Sequence, residues 1–214
     1  MVRSSPQSEA LARLLASGPA ALDDREVLQV AAGLTAGQAE AVFDEFGSLP
    51  EALGATVADL RRRIAAPQAA RVVLLRDVAR RLVAQPLKTR AILNGWDAVA
   101  DYLRVVLKGL GREQLRGLFL DRRNRLMRDE ALGDGTVDAV AAYPREILRR
   151  ALELNASAIV LAHNDPAGDA TPSAADVDMT RQVVEAGRAL RISLHDHFVV
   201  AGETVTSFRK LGLL

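Results

Sequence analysis

Cysteine is absent from this chain of 214 residues, and histidine occurs only three times. Disulfides, thiolate zinc sites and cysteine nucleophiles are therefore excluded. Aromatic residues are scarce at 4%, so Ala, Leu and Val must build the core. An excess of one charge is also missing: 28 Lys and Arg face 27 Asp and Glu, which removes any global pull toward nucleic acid. Arginines do cluster at Arg61, Arg62 and Arg63 and again at Arg122, Arg123 and Arg125, where solvated helix faces or turns are the ordinary outcome. No window approaches a membrane span, and "MVRSSPQSEALARLL" lacks the unbroken apolar stretch of a signal peptide. The expectation is a soluble, cytoplasmic protein with no membrane partner. What is present is ordinary globular composition, 49% hydrophobic and 26% charged, in a chain long enough for one large domain or two small ones.

The pattern changes near residue 90. Up to that point each segment reads as helix. Ser8 is a candidate N-cap for "EALARLLAS", Asp23 or Asp24 for "REVLQVAAG", Thr35 for "AGQAEAVFDEFG" and Thr56 for "VADLRRRIAA". Pro67 suits the first position of a long helix, "PQAARVVLLRDVARRLVAQ", in which Val72, Leu75, Val78, Ala79 and Leu82 share one side. "QPLKTRAILNG" interrupts the pattern, and Asn94 can cap "WDAVADYLRVVLKGL". The periodicity switches from Gly117 onward. "GLFLD" and "RLMRDEAL" flank "RRN" as an antiparallel hairpin, and "GDGTVDAV" is a glycine-bearing loop. Pro144 opens the helix "PREILRRALELNA", and "SAIVLA" reads as a buried strand. The loop "HNDPAGDATP" leads to a helix over "SAADVDMTRQVVEAGRAL", followed by strands in "ISLHDHFVVAG" and "ETVTSF". The expected architecture is a helical bundle over residues 1–90 joined to a mixed α/β domain over residues 91–214.

The residues that carry chemistry gather after "SAIVLA". A histidine at the C-terminal end of a strand stands where loops gather and ligands bind. His163 and Asp165, two apart, project to the same side of an extended backbone. Ser173 and Asp176 have S-x-x-D spacing, which taken alone reads first as a helix capping box. His195 and His197 share one face of a strand, with Asp196 on the other. That spacing can bind a metal, although a hydrogen-bonded His–Asp pair in a supporting role is the commoner outcome.

Taken together, His163-x-Asp165, seven intervening residues and Ser173-x-x-Asp176 resemble the JAMM signature of the JAB/MPN metalloprotease superfamily, H-x-H-x(7)-S-x(2)-D. Within that superfamily the chain is most similar to RadC-like proteins, whose loop reads "HNHPSGDPTPS" where this one reads "HNDPAGDATPS". The similarity continues through "GLFLDRRNRL", "GTVDAVAAYPREILRRALELNASAIVLAHN", "VVEAGRALRISLHDHFVVAG" and the terminal "SFRKLGLL", covering nearly all of residues 95–214. It implies a JAB/MPN-type, cytidine-deaminase-like α/β fold with a mixed sheet. It also implies zinc-dependent peptidase or isopeptidase chemistry on a protein or peptide substrate. By that resemblance His163 and Asp176 are zinc ligands and Ser173 steadies the oxyanion. Glu113 of "EQLRGLFLD" is the matching general base, with Glu130 the alternative. Zinc with three N/O ligands and an open position lowers the pKa of its water to about 7, which supplies hydroxide at neutral pH.

Asp165 stands where the family has its second ligand histidine. A carboxylate can ligate zinc, but its side chain is shorter than imidazole, and two carboxylates would leave the bound water less acidic. The resemblance therefore implies a zinc site at His163, Asp165 and Asp176 that is weakened, altered or lost. The family usually shows "LDH" where this chain has "HDH", so Asp196 and His197 match as candidate supports around the metal and His195 is extra.

The helical half departs further from the family. RadC-like proteins carry a helix-hairpin-helix there, with a glycine-bearing hairpin such as "PGIGPAKA" whose amides can meet DNA phosphates. The aligned stretch "RRIAAPQAARVVLL" has neither glycine, and alanine does not readily take positive φ. The expectation is a degenerate hairpin that persists as a packing module, with no assigned nucleic-acid-binding residue. The arginines around it leave only weak, salt-sensitive binding. Three classes of function follow: a zinc-dependent hydrolase, a non-catalytic protein-interaction module, and a DNA-associated accessory protein in keeping with the family's "DNA repair" name.

Overall fold

The computed structural model describes residues 6–89, 92, 95–134 and 143–214. The chain divides into two compact units, Met1–Ala79 and Arg80–Leu214. The first unit holds α1 (Pro6–Ser17), α2 (Asp24–Ala32), α3 (Ala36–Phe46), α4 (Leu49–Gly54), α5 (Val57–Leu60) and the first part of α6 (Ala66–Thr89). Asp23, Thr35 and Thr56 each close a capping box, with Glu26, Gln38 and Asp59 reaching back to the cap amide. Each such cap contributes about 1 kcal/mol to its helix. Leu28, Leu34, Val42, Leu60 and Val72 are fully buried in this unit's core. Two of the clustered arginines are neutralised locally, Arg62 by Asp59 and Arg63 by Glu45, each at 2.6 Å.

Three local readings differ from the sequence pattern. Helix α1 begins at Pro6, so Ser8 lies inside it rather than capping it. Val72 is buried as its spacing suggests, but Val78 and Leu82 are 46% and 68% exposed. Helical spacing reports a shared side without saying what covers it. Helix α6 also continues through Pro86 to Thr89 instead of stopping at Gln85. Burial of Ala84 and Leu87 outweighs the single ladder bond that proline removes. The expected cap at Asn94 and the end of the "GDGTVDAV" loop lie outside the described residues.

The second unit continues with α7 (Trp96–Leu107), β1 (Gln114–Leu120), β2 (Leu126–Asp134), α8 (Pro144–Glu153), β3 (Ala158–Asn164), α9 (Ala174–Leu190), β4 (Ser193–Ala201) and β5 (Thr204–Ser207). The strands form one mixed sheet in the order β2-β1-β3-β4-β5, in which only β3 and β4 run parallel. Helix α9 makes the crossover that a parallel pair requires. Alternation sorts the side chains between two layers. Leu118, Leu120, Val160, Ala162, Phe198 and Val200 pack with residues of α7. Leu115, Phe119, Ile159, Leu161 and Leu194 pack with residues of α8 and α9. Strand β3 is buried along its whole length, which is why it reads as an unbroken apolar run. The result is the mixed α/β domain expected from the sequence, with "SAIVLA" internal and His163 near its end. No helix among the described residues is long and apolar enough to cross a membrane.

Strand β4 carries a bulge that matters for the site. Ile159 pairs with Leu194 and Val160 with Asp196, leaving His195 without a partner on β3. The extra residue resets the alternation. Leu194 and His197, three apart, consequently both meet the layer that contains α9.

Helix α9 must also approach β4 closely. A Cβ on Gly187 would lie 2.6 Å from the Ile192 carbonyl oxygen, whereas one on Gly37 in α3 would meet nothing within 4 Å. Gly187→Ala should therefore destabilise the protein by about 1–3 kcal/mol through overpacking, despite alanine's better helix propensity. Gly37→Ala should stabilise it by about 0.5–1 kcal/mol. Thermal denaturation of the two variants checks the opposite signs, and a stabilised Gly187→Ala would contradict this packing.

Candidate metal centre

Strand β3 delivers His163 to the C-terminal edge of the sheet, 5% exposed, beside β1 through its pairing with Leu115. Glu113 lies one residue before β1 and so arrives at the same edge. Asp176 comes from the first turn of α9, where Ser173 is the N-cap and Asp176 the third helical residue. Ligand atoms of Glu113, His163 and Asp176 all lie within 4.8 Å of one another, an arrangement that could hold a metal ion. The Nε2 of His163 is 3.7 Å from Asp176 Oδ2. Crowding is visible in the electrostatics. Burial, then the carboxylates of Asp176 and Asp165, push the Glu113 carboxyl above its usual range. Burial lowers the pKa of His163 although the same two carboxylates oppose the shift.

Two sets of hydrogen bonds hold these groups. Asn164, 3% exposed, clamps the segment that carries Glu113. Its Oδ1 accepts from the Gln114 amide at 2.9 Å, and its Nδ2 donates to the carbonyls of Arg112 at 3.0 Å and Leu110 at 3.3 Å. Behind His163 stands His197. His163 Nδ1 is 3.0 Å from His197 Nε2, and His197 Nδ1 is 2.7 Å from Thr180 Oγ1. Full burial, followed by the neighbouring His163, drives the His197 pKa well down. Phe208 stacks on the far side of the His197 ring at a centroid separation of 4.5 Å.

Residues 93–213 match the model of the RadC-like JAB domain. The chain is also 40% identical over 210 residues to a UPF0758 protein of Rhodobacter capsulatus, covering 94% of this chain and 98% of the relative. The chain belongs to the RadC-like JAB family.

Within this RadC-like JAB domain the residues singled out by the sequence divide clearly. Glu113, His163 and Asp176 come together. Glu130 does not join them; Arg150 binds it through two hydrogen bonds of 2.7 and 2.6 Å and holds its carboxyl below the usual range. Ser173 donates its hydroxyl to Asp176 Oδ2 at 2.6 Å, so the capping box also fixes the Asp176 carboxylate in place. Asp165 is close enough to perturb Glu113 and His163, yet its Oδ1 accepts from the amides of Gly168 at 2.9 Å and Asp169 at 3.4 Å. That Asx-type turn, with Gly168 at φ 92°, shapes the loop.

The HDH triplet also separates. His195 Nε2 lies 2.7 Å from Asn124 Oδ1 in the β1–β2 turn, while His197 faces His163. Asp196 makes no pair with the His197 ring. Its buried carboxylate accepts from the His197 amide at 2.8 Å, the Ser207 hydroxyl at 2.5 Å and the Arg209 amide at 3.0 Å. It thereby holds the tail that places Phe208 against His197. Sequence reasoning missed Asn164, Thr180 and Phe208. Their types at those positions are ordinary in a strand, a helix and a tail, and only the packing gives them their roles.

Asn164→Ala should release the Glu113 segment. The expected result is faster amide exchange at Gln114 in a variant that stays folded, because the Gln114 amide loses its Asn164 acceptor. Unchanged exchange at Gln114 in a folded variant would show that the Glu113 segment needs no clamp.

Proposed function

We propose that this domain binds zinc through His163, Asp176 and Glu113, and that it is a metallopeptidase-type hydrolase site impaired by Asp165. The observation that carries the reading is the convergence of one imidazole and two carboxylates, with Asp165 engaged in its own loop. The donor set fits the ion. Nitrogen and carboxylate oxygen ligands suit zinc, and a cation would relieve the carboxylate repulsion that adds to burial in raising the Glu113 pKa. When bound, zinc would supply Lewis acidity and an acidified water.

The impairment follows from counting donors. A hydrolytic zinc site uses three protein ligands, an open position and a separate base. Here Glu113 can complete the ligand set or remain the base, but one carboxylate cannot fill both roles. The fourth donor belongs at position 165, where Asp165 commits one carboxylate oxygen, Oδ1, to the loop amides of Gly168 and Asp169. Burial and then the carboxylates of Asp176 and Asp165 raise the Glu113 pKa, which favours a carboxyl that takes up a proton in the base role. Ser173 would have to leave Asp176 to meet a developing oxyanion. The substrate class that accompanies this chemistry is a protein or peptide amide.

Competition with a chromogenic chelator tests the reading. One zinc per chain is expected, with a loss of roughly two orders of magnitude in affinity on His163→Ala, since a good ligand contributes several kcal/mol. Asp165→Asn keeps the loop acceptor and should change affinity by less than about threefold. Asp165→His should tighten zinc while lowering Tm by about 2–4 °C, because the Asx turn loses about 1 kcal/mol. A wild-type protein that binds no zinc, or an Asp165→Asn variant that loses it, would overturn the assignment.

A further inference from the structure

Zinc coordination by an imidazole requires a bare nitrogen aimed at the ion, and a neutral histidine has one bare nitrogen and one that carries hydrogen. Which nitrogen of His163 is bare follows from a chain of contacts leading away from it. The chain ends at Thr180, a helical residue whose hydroxyl donates to the carbonyl of Asp176 at 2.6 Å. This is the ordinary back-bond of a helical threonine to the residue four before it. A backbone carbonyl can only accept, so the single hydroxyl hydrogen of Thr180 is spent there.

The 2.7 Å contact between Thr180 Oγ1 and His197 Nδ1 must then have the imidazole as donor. The His197 ring is wholly buried between Thr180, His163 and Phe208, none of which is anionic, so it is neutral. With hydrogen on Nδ1, its Nε2 is bare and accepts across the 3.0 Å contact from His163 Nδ1. The remaining nitrogen of His163, Nε2, carries the lone pair and lies toward Asp176.

We propose that Thr180 and His197 form a two-residue relay that locks His163 in its Nδ1–H tautomer and presents Nε2 to the cluster with Glu113 and Asp176. Both are positioning residues, and their value to zinc binding rests on the metal site proposed above. The relay closes on itself, because the carbonyl that fixes the Thr180 hydroxyl belongs to Asp176, one of the three convergent donors. One turn of α9 therefore supplies both a ligand and the reference point that sets the tautomer of another. The β4 bulge is what allows it, by placing His197 on the α9 side of the sheet.

Removing the hydroxyl reverses the argument. In Thr180→Val the His197 Nδ1–H has no acceptor, and a hydrogen on Nε2 would instead donate to His163 Nδ1. His163 would then carry its hydrogen on Nε2, where it opposes a cation. Thr180→Ser keeps the hydroxyl and should keep the wild-type arrangement.

The test is a long-range ¹⁵N–¹H correlation spectrum of the histidine rings in metal-free full-length protein, followed by zinc titration of the same samples. In wild type and Thr180→Ser, His163 and His197 should both show protonated Nδ1 and bare Nε2. In Thr180→Val the Nε2–H form of His163 should appear, with zinc binding weakened 10–100-fold. Protonated Nε2 on His163 in wild type, or an unchanged tautomer in a folded Thr180→Val variant, would overturn the relay. An unchanged zinc affinity despite a switched tautomer would overturn its role in metal binding. Wild-type protein with the stated tautomers but no zinc binding would uphold the relay and sink the metal site instead.

Discussion

Two neutral imidazoles buried in contact can satisfy each other only if one donates and the other accepts, and the site depends on that constraint. His163 and His197 meet at 3.0 Å in a place with no water-exposed alternative for either inner nitrogen. Parallel pairing of β3 with β4 brings the two strands together, the bulge at His195 turns His197 toward α9, and Thr180 gives its ring a partner. The buried Asp196 extends the same logic outward. Three donors satisfy its carboxylate and tie the C-terminal segment across β4, so that Phe208 backs the His197 ring. Polar groups this deep are costly unless each finds a partner, and here each partner is also a structural tie.

On the solvent side of His163 the balance is different. Glu113, Asp165 and Asp176 bring carboxylates together around one imidazole, and burial followed by their repulsion raises the pKa of the Glu113 carboxyl. The fold tolerates this because each acidic segment is held by something else. Asn164 holds the strand entry before β1, the capping box holds Asp176, and the Asx turn holds Asp165. A preassembled group of like charges is an arrangement that a cation stabilises and an empty core does not require.

Much of this was legible in the residues. The helix caps at Asp23, Thr35 and Thr56 follow from local hydrogen bonding, and the apolar run of β3 follows from burial on both faces. The spacing from His163 to Asp176 marked the edge where the donors meet. What escaped was decided by contacts between distant segments. Strict alternation put His195 with His197, because a one-residue bulge leaves no local signal. Asp165 reads as a substituted ligand in one dimension, while in three dimensions its nearest donors are the amides of its own loop. Val78 and Leu82 look like core by spacing, and their exposure depends on what the rest of the chain covers. Thr180 is an unremarked helical threonine until His197 is brought against it.

The central claim is that a cation is held at the sheet edge by His163, Asp176 and Glu113 without Asp165. A crystal soaked in zinc and measured at the zinc absorption edge addresses it directly. The account predicts an anomalous peak within ligand distance of His163 Nε2 and of carboxylate oxygens from Asp176 and Glu113, with Asp165 still accepting from Gly168. A peak coordinated by Asp165 in place of Glu113, or no peak at this edge with zinc bound elsewhere, would contradict it.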